Sequence, residues 1–291
     1  MAMAGIALAF LALLGWGVGD FLTQRSARQA GTWRSLFFFG LFGAIVFWPV
    51  AMGQLGQIFS SAHSWRFVAL AIVVTFTAVV SLEAFRLGKL AIVAPILGLE
   101  LPLTVALGVI VHGEKLSAVE FFLSLVVFVG IVLATVEFEM LGQKYNFLFE
   151  RGAVLGLLAA VGLALTNFLV GLSSQATSPL LTVWFTSAVL LLISSGVLVA
   201  LGELRHLQNI FWENKKIISS ACIFNNIGWV SYAMATTFVP IAIVTTISEG
   251  YIALATFLGV VIGREKLHSH QVAGVALSLS GIIILSLVVG L

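Results

Sequence analysis

Residues 90–116 read LAIVAPILGLELPLTVALGVIVHGEKL. The stretch has the length of a membrane-spanning helix. It carries a single carboxylate near its middle, Glu100, and the charged pair Glu114–Lys115 at its far end. Residues 241–267, IAIVTTISEGYIALATFLGVVIGREKL, repeat the plan, with Glu249 at mid-span and Arg264–Glu265–Lys266 at the end. A carboxylate in hydrocarbon is costly, so an ionisable group there marks a functional site by default. Two of them in two matching spans predict a polar site inside a membrane protein.

The composition fits that reading. The chain is 60% hydrophobic and 9% charged, where a soluble domain carries about 25% charged residues. Its mean hydropathy is +1.15. Apolar residues come in runs of roughly 20, enough to cross the hydrocarbon as a helix. Continuous runs, rather than alternation over about ten residues, predict a helical bundle and not a barrel. A net charge of +2 gives no reason to expect a nucleic-acid partner. Cys222 is the single cysteine, so no intrachain disulfide forms. His268 and His270 are expected in a hydrated loop, and no His/Cys cluster has metal-ligand spacing. Neither a Gly-rich phosphate loop nor a nucleophile elbow is present. No metal, cofactor or enzymatic centre is therefore expected.

Ten spans follow from the apolar runs: about 4–22, 33–53, 65–87, 90–116, 117–136, 152–172, 180–201, 217–238, 241–262 and 271–289. Glu83 and Arg86, three residues apart at the end of the third, are expected to pair. Residues 138–151 read as a linker between a first unit, 1–137, and a second, 152–291. A shift of 151 residues superposes the units: Ala91–Ile92–Val93 on Ala242–Ile243–Val244, Leu107–Gly108–Val109 on Leu258–Gly259–Val260, and Glu114–Lys115–Leu116 on Glu265–Lys266–Leu267. Asp20–Phe21–Leu22 meets Asn167–Phe168–Leu169 at a shift of 147. Five spans per unit is odd, so the second unit enters from the opposite side. The predicted fold is an all-α membrane protein of ten transmembrane helices, built as two inverted five-helix repeats around a midplane site. Glu100 falls under Tyr251, and Glu249 under Gly98. The glutamates are thus offset by two residues and need not share a role or direction.

His112–Gly113–Glu114–Lys115–Leu116–Ser117 and Gly263–Arg264–Glu265–Lys266–Leu267–His268, each followed by a span with glycine near its end, resemble the span endings of the EamA-type transporters of the drug/metabolite transporter superfamily. Gly15–Trp16–Gly17 with Phe21, and Ala84–Phe85–Arg86–Leu87–Gly88, resemble that family's patterns in the first span and after the third. The resemblance covers nearly the whole chain. It implies a central cavity lined by spans 1, 3, 4, 6, 8 and 9, carriage of small metabolites, and both termini in the cytoplasm. The loop 54–64 departs from the family pattern in having no Lys or Arg.

Glu100 and Glu249 are the candidate substrate or coupling-ion residues. For each, the competing reading is a neutral carboxyl tying two helices together. Pro102 removes a backbone donor beside Glu100. Thr245, Thr246 and Tyr251 flank Glu249 as possible partners. Asn225, Trp229 and Tyr232 share a helix face by their i, i+4, i+7 spacing. With Trp16, Asn167, Thr245 and Tyr251 they are the cavity-lining candidates; interhelical hydrogen bonding is the alternative. Gly15 and Gly19 form GxxxG, a close-packing motif.

The expected activity is secondary active transport of a cationic, zwitterionic or neutral metabolite by alternating access, with protons as a coupling ion. A passive channel or a scaffold subunit is the alternative. The expected partners are a small-molecule substrate and the lipid bilayer, with no nucleic acid, and the expected state is a monomer or homodimer. The expected location is a prokaryotic inner or plasma membrane. Orientation is contested. With the N-terminus inside, only Arg66 and Lys115 of the 14 basic residues face the cytoplasm, against the positive-inside rule. The family orientation predicts that a C-terminal reporter active only in the cytoplasm gives a signal; silence places both termini outside.

Overall fold

Chain segments this apolar satisfy their backbone polar groups internally when they form helices. The computed structural model describes residues 1–60, 62–87, 90–136, 151–254 and 268–290. Outside them lie the linker 138–151 apart from Arg151, Gly88 of the Ala84–Gly88 stretch, Leu258–Gly259–Val260, and residues 263–267 of the second span ending. Among the described residues there is no strand. The helices are α1 (Ala2–Ala30), α2 (Thr32–Ala51), α3 (Ser64–Leu87), α4 (Leu90–Leu97), α5 (Glu100–Ala106), α6 (Ala118–Thr135), α7 (Arg151–Ala176), α8 (Pro179–Ala200), α9 (Leu207–Ala235), α10 (Ile241–Ser248) and α11 (Ser269–Gly290). Seven are long and apolar enough to cross a membrane; Pro95–Val111 and Ile241–Leu254 are shorter apolar pieces.

Some boundaries differ from the sequence reading. α1 runs past residue 22 through Arg25 and Arg28 and stops only at Gly31, whose φ of 88° a helix cannot continue. Arginine and glutamine are good helix formers, so a helix does not end where its apolar run ends. α9 likewise begins at Leu207, ten residues before the apolar run. It kinks at Asn214 (φ −116°), whose side-chain amide donates to the Ile210 carbonyl at 3.1 Å.

The helices pair antiparallel. Gly5 lies beside Phe238 and Val239, Gly15 against Gly228, and Gly19 against Asn225, which runs α1 down α9. In α2 and α8, Gly40 lies on Leu191 and Gly43 on Ser187. In α6 and α11, Gly130 lies on Ser278 and Gly281 on Val127. α3 meets α7 where Thr77 faces Gly162 and Thr166. This pairing fits two units inverted with respect to each other. α1·α9 becomes α7·α3 when the units are exchanged, while α2·α8 and α6·α11 become themselves. Without a hydrophobic drive between helices in lipid, close backbone approach through small residues supplies the packing energy. At Gly15, a Cβ would stand 2.7 Å from the Gly228 nitrogen.

The expected Glu83–Arg86 pair is present at 2.7 Å, and Thr32 donates to the same glutamate at 2.9 Å. Arg34 meets Glu203 at 3.0 Å. Both pairs lie at the end of the bundle opposite the two termini.

Gly15→Val forces two backbones apart and is expected to destabilise by about 1–3 kcal/mol. At Gly196 an added Cβ would meet nothing within 4 Å, so Gly196→Ala is expected to be neutral or stabilising by up to about 1 kcal/mol. Melting in detergent, followed by tryptophan fluorescence, tests both.

Candidate functional site

The two carboxylate-bearing spans are both broken at their glutamates. Pro102 has no N–H to give the Gly98 carbonyl, which is taken instead by Leu101 N–H in a tight turn at 3.3 Å. α4 therefore ends at Leu97 and α5 restarts at Glu100. α10 ends at Ser248, and tight turns carry the chain through Glu249 and Gly250 (Gly250 N–H to Ile247 O, 3.2 Å) before helix resumes at Tyr251–Leu254.

At these breaks the two spans cross, and the Glu100 and Glu249 side chains lie next to one another. Both are buried, at 4% and 0% exposure. Asn167 Nδ2 of α7 donates to Glu100 Oε1 at 3.2 Å. The glutamates, whose offset in the repeat left open whether they share a role or direction, are thus brought together. Leu99 and Gly250 are 151 residues apart and so are counterparts. In an antiparallel crossing, the residue after one faces the residue before the other.

A cavity of about 170 Å³ reaches this crossing from the end opposite the termini. Trp16, Glu100, Asn167, Asn225, Trp229 and Tyr251 line it. Trp16 is its aromatic hub, with ring centroids 5.1 Å from Trp229 and 6.2 Å from Tyr251. Gly228 makes room for that indole, since a side chain there would collide with it.

Tyr232, Thr245 and Glu249 are not part of the wall. Tyr232, fully buried, stands behind Trp16. Its hydroxyl donates to the Asn167 carbonyl at 3.3 Å and shares a hydrogen bond with Thr245 Oγ1 at 2.8 Å. Helical spacing put Tyr232 on the face of Asn225 and Trp229, but its position deeper in the bundle buries it. Thr246 bonds Ser124 of α6 at 3.0 Å and its own Ala242 carbonyl at 2.8 Å. Thr245 and Thr246 are thus engaged away from Glu249.

The sequence reading missed Thr77, Ser81, Thr166, Thr186 and Ser187 in the wall. Most hydroxyls in apolar helices satisfy themselves on a preceding carbonyl, as Ser187 does on Val183 at 2.8 Å, so their type gives no signal. Thr166 instead bonds Thr77 across α7 and α3 at 3.2 Å, and the Ser81 hydroxyl has no partner among the described residues.

Several positions of the stretch 112–117 have structural roles. Gly113 turns the chain at φ 74°. Glu114 reaches the start of α10. Ser117 caps α6 in a reciprocal pair with Glu120, at 3.2 and 2.6 Å. A model of the EamA-like transporter family matches residues 3–136 and 150–287. The chain belongs to the EamA-like transporter family. It is a membrane transporter of the drug/metabolite transporter superfamily and an integral, multi-pass protein. A solved structure described only as "Crystal structure of protein" is similar in fold to this EamA-like chain, with a TM-score of 0.71, 16% identity and coverage of 99% of both chains. A comparison with curated proteins gives no significant match.

Tyr232→Phe removes a hydroxyl joining α9, α7 and α10 without touching the cavity wall. It is expected to cost about 1–3 kcal/mol, because buried partners lose their bond. A lower melting temperature with unchanged ligand affinity would bear this out.

Proposed function

We propose that the protein is a secondary active transporter for a small cationic, zwitterionic or neutral metabolite, working by alternating access and coupled to protons through Glu100 and Glu249. Ten crossings, with repeats 1–137 and 152–291 joined by 138–151, form the frame, in a prokaryotic inner or plasma membrane. The observation that carries the reading is the carboxyl group of Glu100 at the inner end of a cavity, in contact with a second buried carboxyl.

The cavity chemistry sets the substrate class. Its described wall has one acidic group, the amides of Asn167, Asn225 and Asn226, four aromatic side chains, and no Lys, Arg or His. Nothing there balances a multiply anionic solute, whereas a cation or an amine finds a counter-charge. At about 170 Å³ the space is smaller than the roughly 300–1,000 Å³ typical of drug-sized ligands.

Two carboxylates accept hydrogen bonds and cannot donate them, so a bond between them requires a proton. Two bare charges about 4 Å apart repel by about 4 kcal/mol at an effective dielectric of 20. On this reading the pair carries one proton between them at rest. A cationic or amine-bearing solute that binds the ionised form expels that proton, and exchange of solute against proton follows. Asn167 holds Glu100 in place whether or not the proton is present.

A continuous channel fits less well, because residues 241–248 plug the other end of the bundle. Each of the eight is buried at 0% exposure. A carrier alternates such a plug; a channel has none.

A ligand-stabilisation screen against a metabolite library identifies the solute, and proteoliposomes with an imposed pH gradient test its coupling. Glu249→Gln and Glu100→Gln mimic the protonated acid at nearly unchanged volume. Each is expected to abolish pH-driven accumulation while leaving solute–solute exchange. Undiminished accumulation in both single mutants and the double mutant would refute proton coupling.

A further inference from the structure

The start of the plug is held by one side chain of the other repeat. A helix start leaves four N–H groups without partners inside the helix. In α10 all four are satisfied. Ile243 and Val244 donate to the Pro240 carbonyl, each at 3.0 Å. Ile241 and Ala242 donate to the two carboxylate oxygens of Glu114, at 2.6 and 3.0 Å. Glu114 belongs to the other repeat, 127 residues away from Ile241. It is placed by the turn at Gly113 and by its own N–H on the Gly108 carbonyl at 3.0 Å. Gly108 is the residue its carboxylate lies over: a Cβ there would stand 2.5 Å from Glu114 Oε2. A negative charge at this helix end also opposes the helix dipole.

Nearby contacts complete the closure. His112 Nε2 hydrogen-bonds Gln175 Oε1 at 3.1 Å, and Gln175 Nε2 donates to the Thr236 carbonyl at 2.7 Å. Beneath them, Ser173 and Ser174 of α7 are buried at 0% and 2% exposure, and their hydroxyls have no hydrogen-bond partner among the described residues. Buried hydroxyls without partners cost stability. An end that stayed shut would be better built from alanine; an end that opens to water would satisfy them.

We propose that Glu114 is a positioning residue of the transport cycle. Its carboxylate latches the α10 half-helix, which leads into Glu249, across the closed end, and its release from Ile241 and Ala242 opens that end to Ser173 and Ser174. The inference rests on the carrier reading, but its test needs no substrate. Glutamine in place of Glu114 keeps one acceptor and turns an amide donor toward a backbone N–H. Aspartate keeps the charge but is too short to reach both N–H groups.

The experiment uses the full-length protein with Cys222→Ala, reconstituted in liposomes. A cysteine is placed at the closed end by Ser174→Cys or in the open cavity by Ser81→Cys. The probe is a membrane-impermeant maleimide, applied to each side in turn. With Glu114 intact, the Ser174→Cys protein is expected to label slowly and the Ser81→Cys protein quickly. With Glu114→Gln, labelling at Ser174→Cys is expected to rise about tenfold, the population shift that follows loss of one charge-assisted hydrogen bond. Labelling at Ser81→Cys is expected to fall in the same preparation, and Glu114→Asp to lie between. The reciprocal change is what local fraying cannot produce. A rise at Ser174→Cys alone, unchanged labelling at both positions, or failure of both Glu114 variants to fold makes Glu114 a structural cap and overturns the proposal. The carrier reading stands or falls separately, on the pH-gradient assay.

Discussion

A carboxyl group surrounded by hydrocarbon needs a partner, and here two such groups supply one another. Glu100 and Glu249 meet where two broken helices cross, and much of the core serves to hold them there. The breaks let side chains project from helix ends rather than from a helix flank. Asn167 steadies one carboxyl, and Tyr232 and Thr245 tie α9 to α10 and to the Asn167 backbone behind it. The packing glycines bring α1 and α9 close enough for Trp16 to nest over Gly228 and form the inner wall. Loss of any one tie would loosen the crossing at which the two acids lie.

The two ends of the bundle are then distinguished by polarity rather than by helix content. Toward the open end, Thr77, Ser81, Thr186 and Asn225 face a cavity. Toward the end holding the termini, an apolar half-helix is fully buried and its polar start is answered by one acidic side chain. The stretch 112–117 does three jobs in six residues: it turns the chain, caps a helix of the other repeat, and caps the helix that follows. A short motif with that many fixed geometric demands leaves little freedom in its order.

Much of this was legible in the sequence. Run lengths and the 151-residue repeat anticipated helices paired in a manner that fits inverted units, and the two glutamates stood out because no other acidic residue lies at the middle of an apolar run. What escaped was a consequence of direction. An offset of two residues looks like separation when repeats are laid parallel; in an antiparallel crossing the same offset produces contact. Tyr232 was assigned to the wall from helical phase, which gives a face but no depth. The cap made by Glu114 was hidden because its partners are backbone N–H groups, which carry no letter. The serine and threonine lining was hidden because such residues in apolar helices commonly bond their own backbone, so their type carries no signal.

One packing detail bears on rates. Gly40 of α2 lies against Leu191 of α8, its own counterpart 151 residues on. In the carrier proposed above, exchange of the two halves would return such a contact to the same pair of positions, so it would favour neither end state strongly. A bulkier residue there would then bear chiefly on the barrier between them. Contacts lying off that line have no such neutrality: each favours one end state over the other. The turnover speed of the machine and its resting bias are therefore written in different parts of the same bundle, and selection can adjust one without disturbing the other.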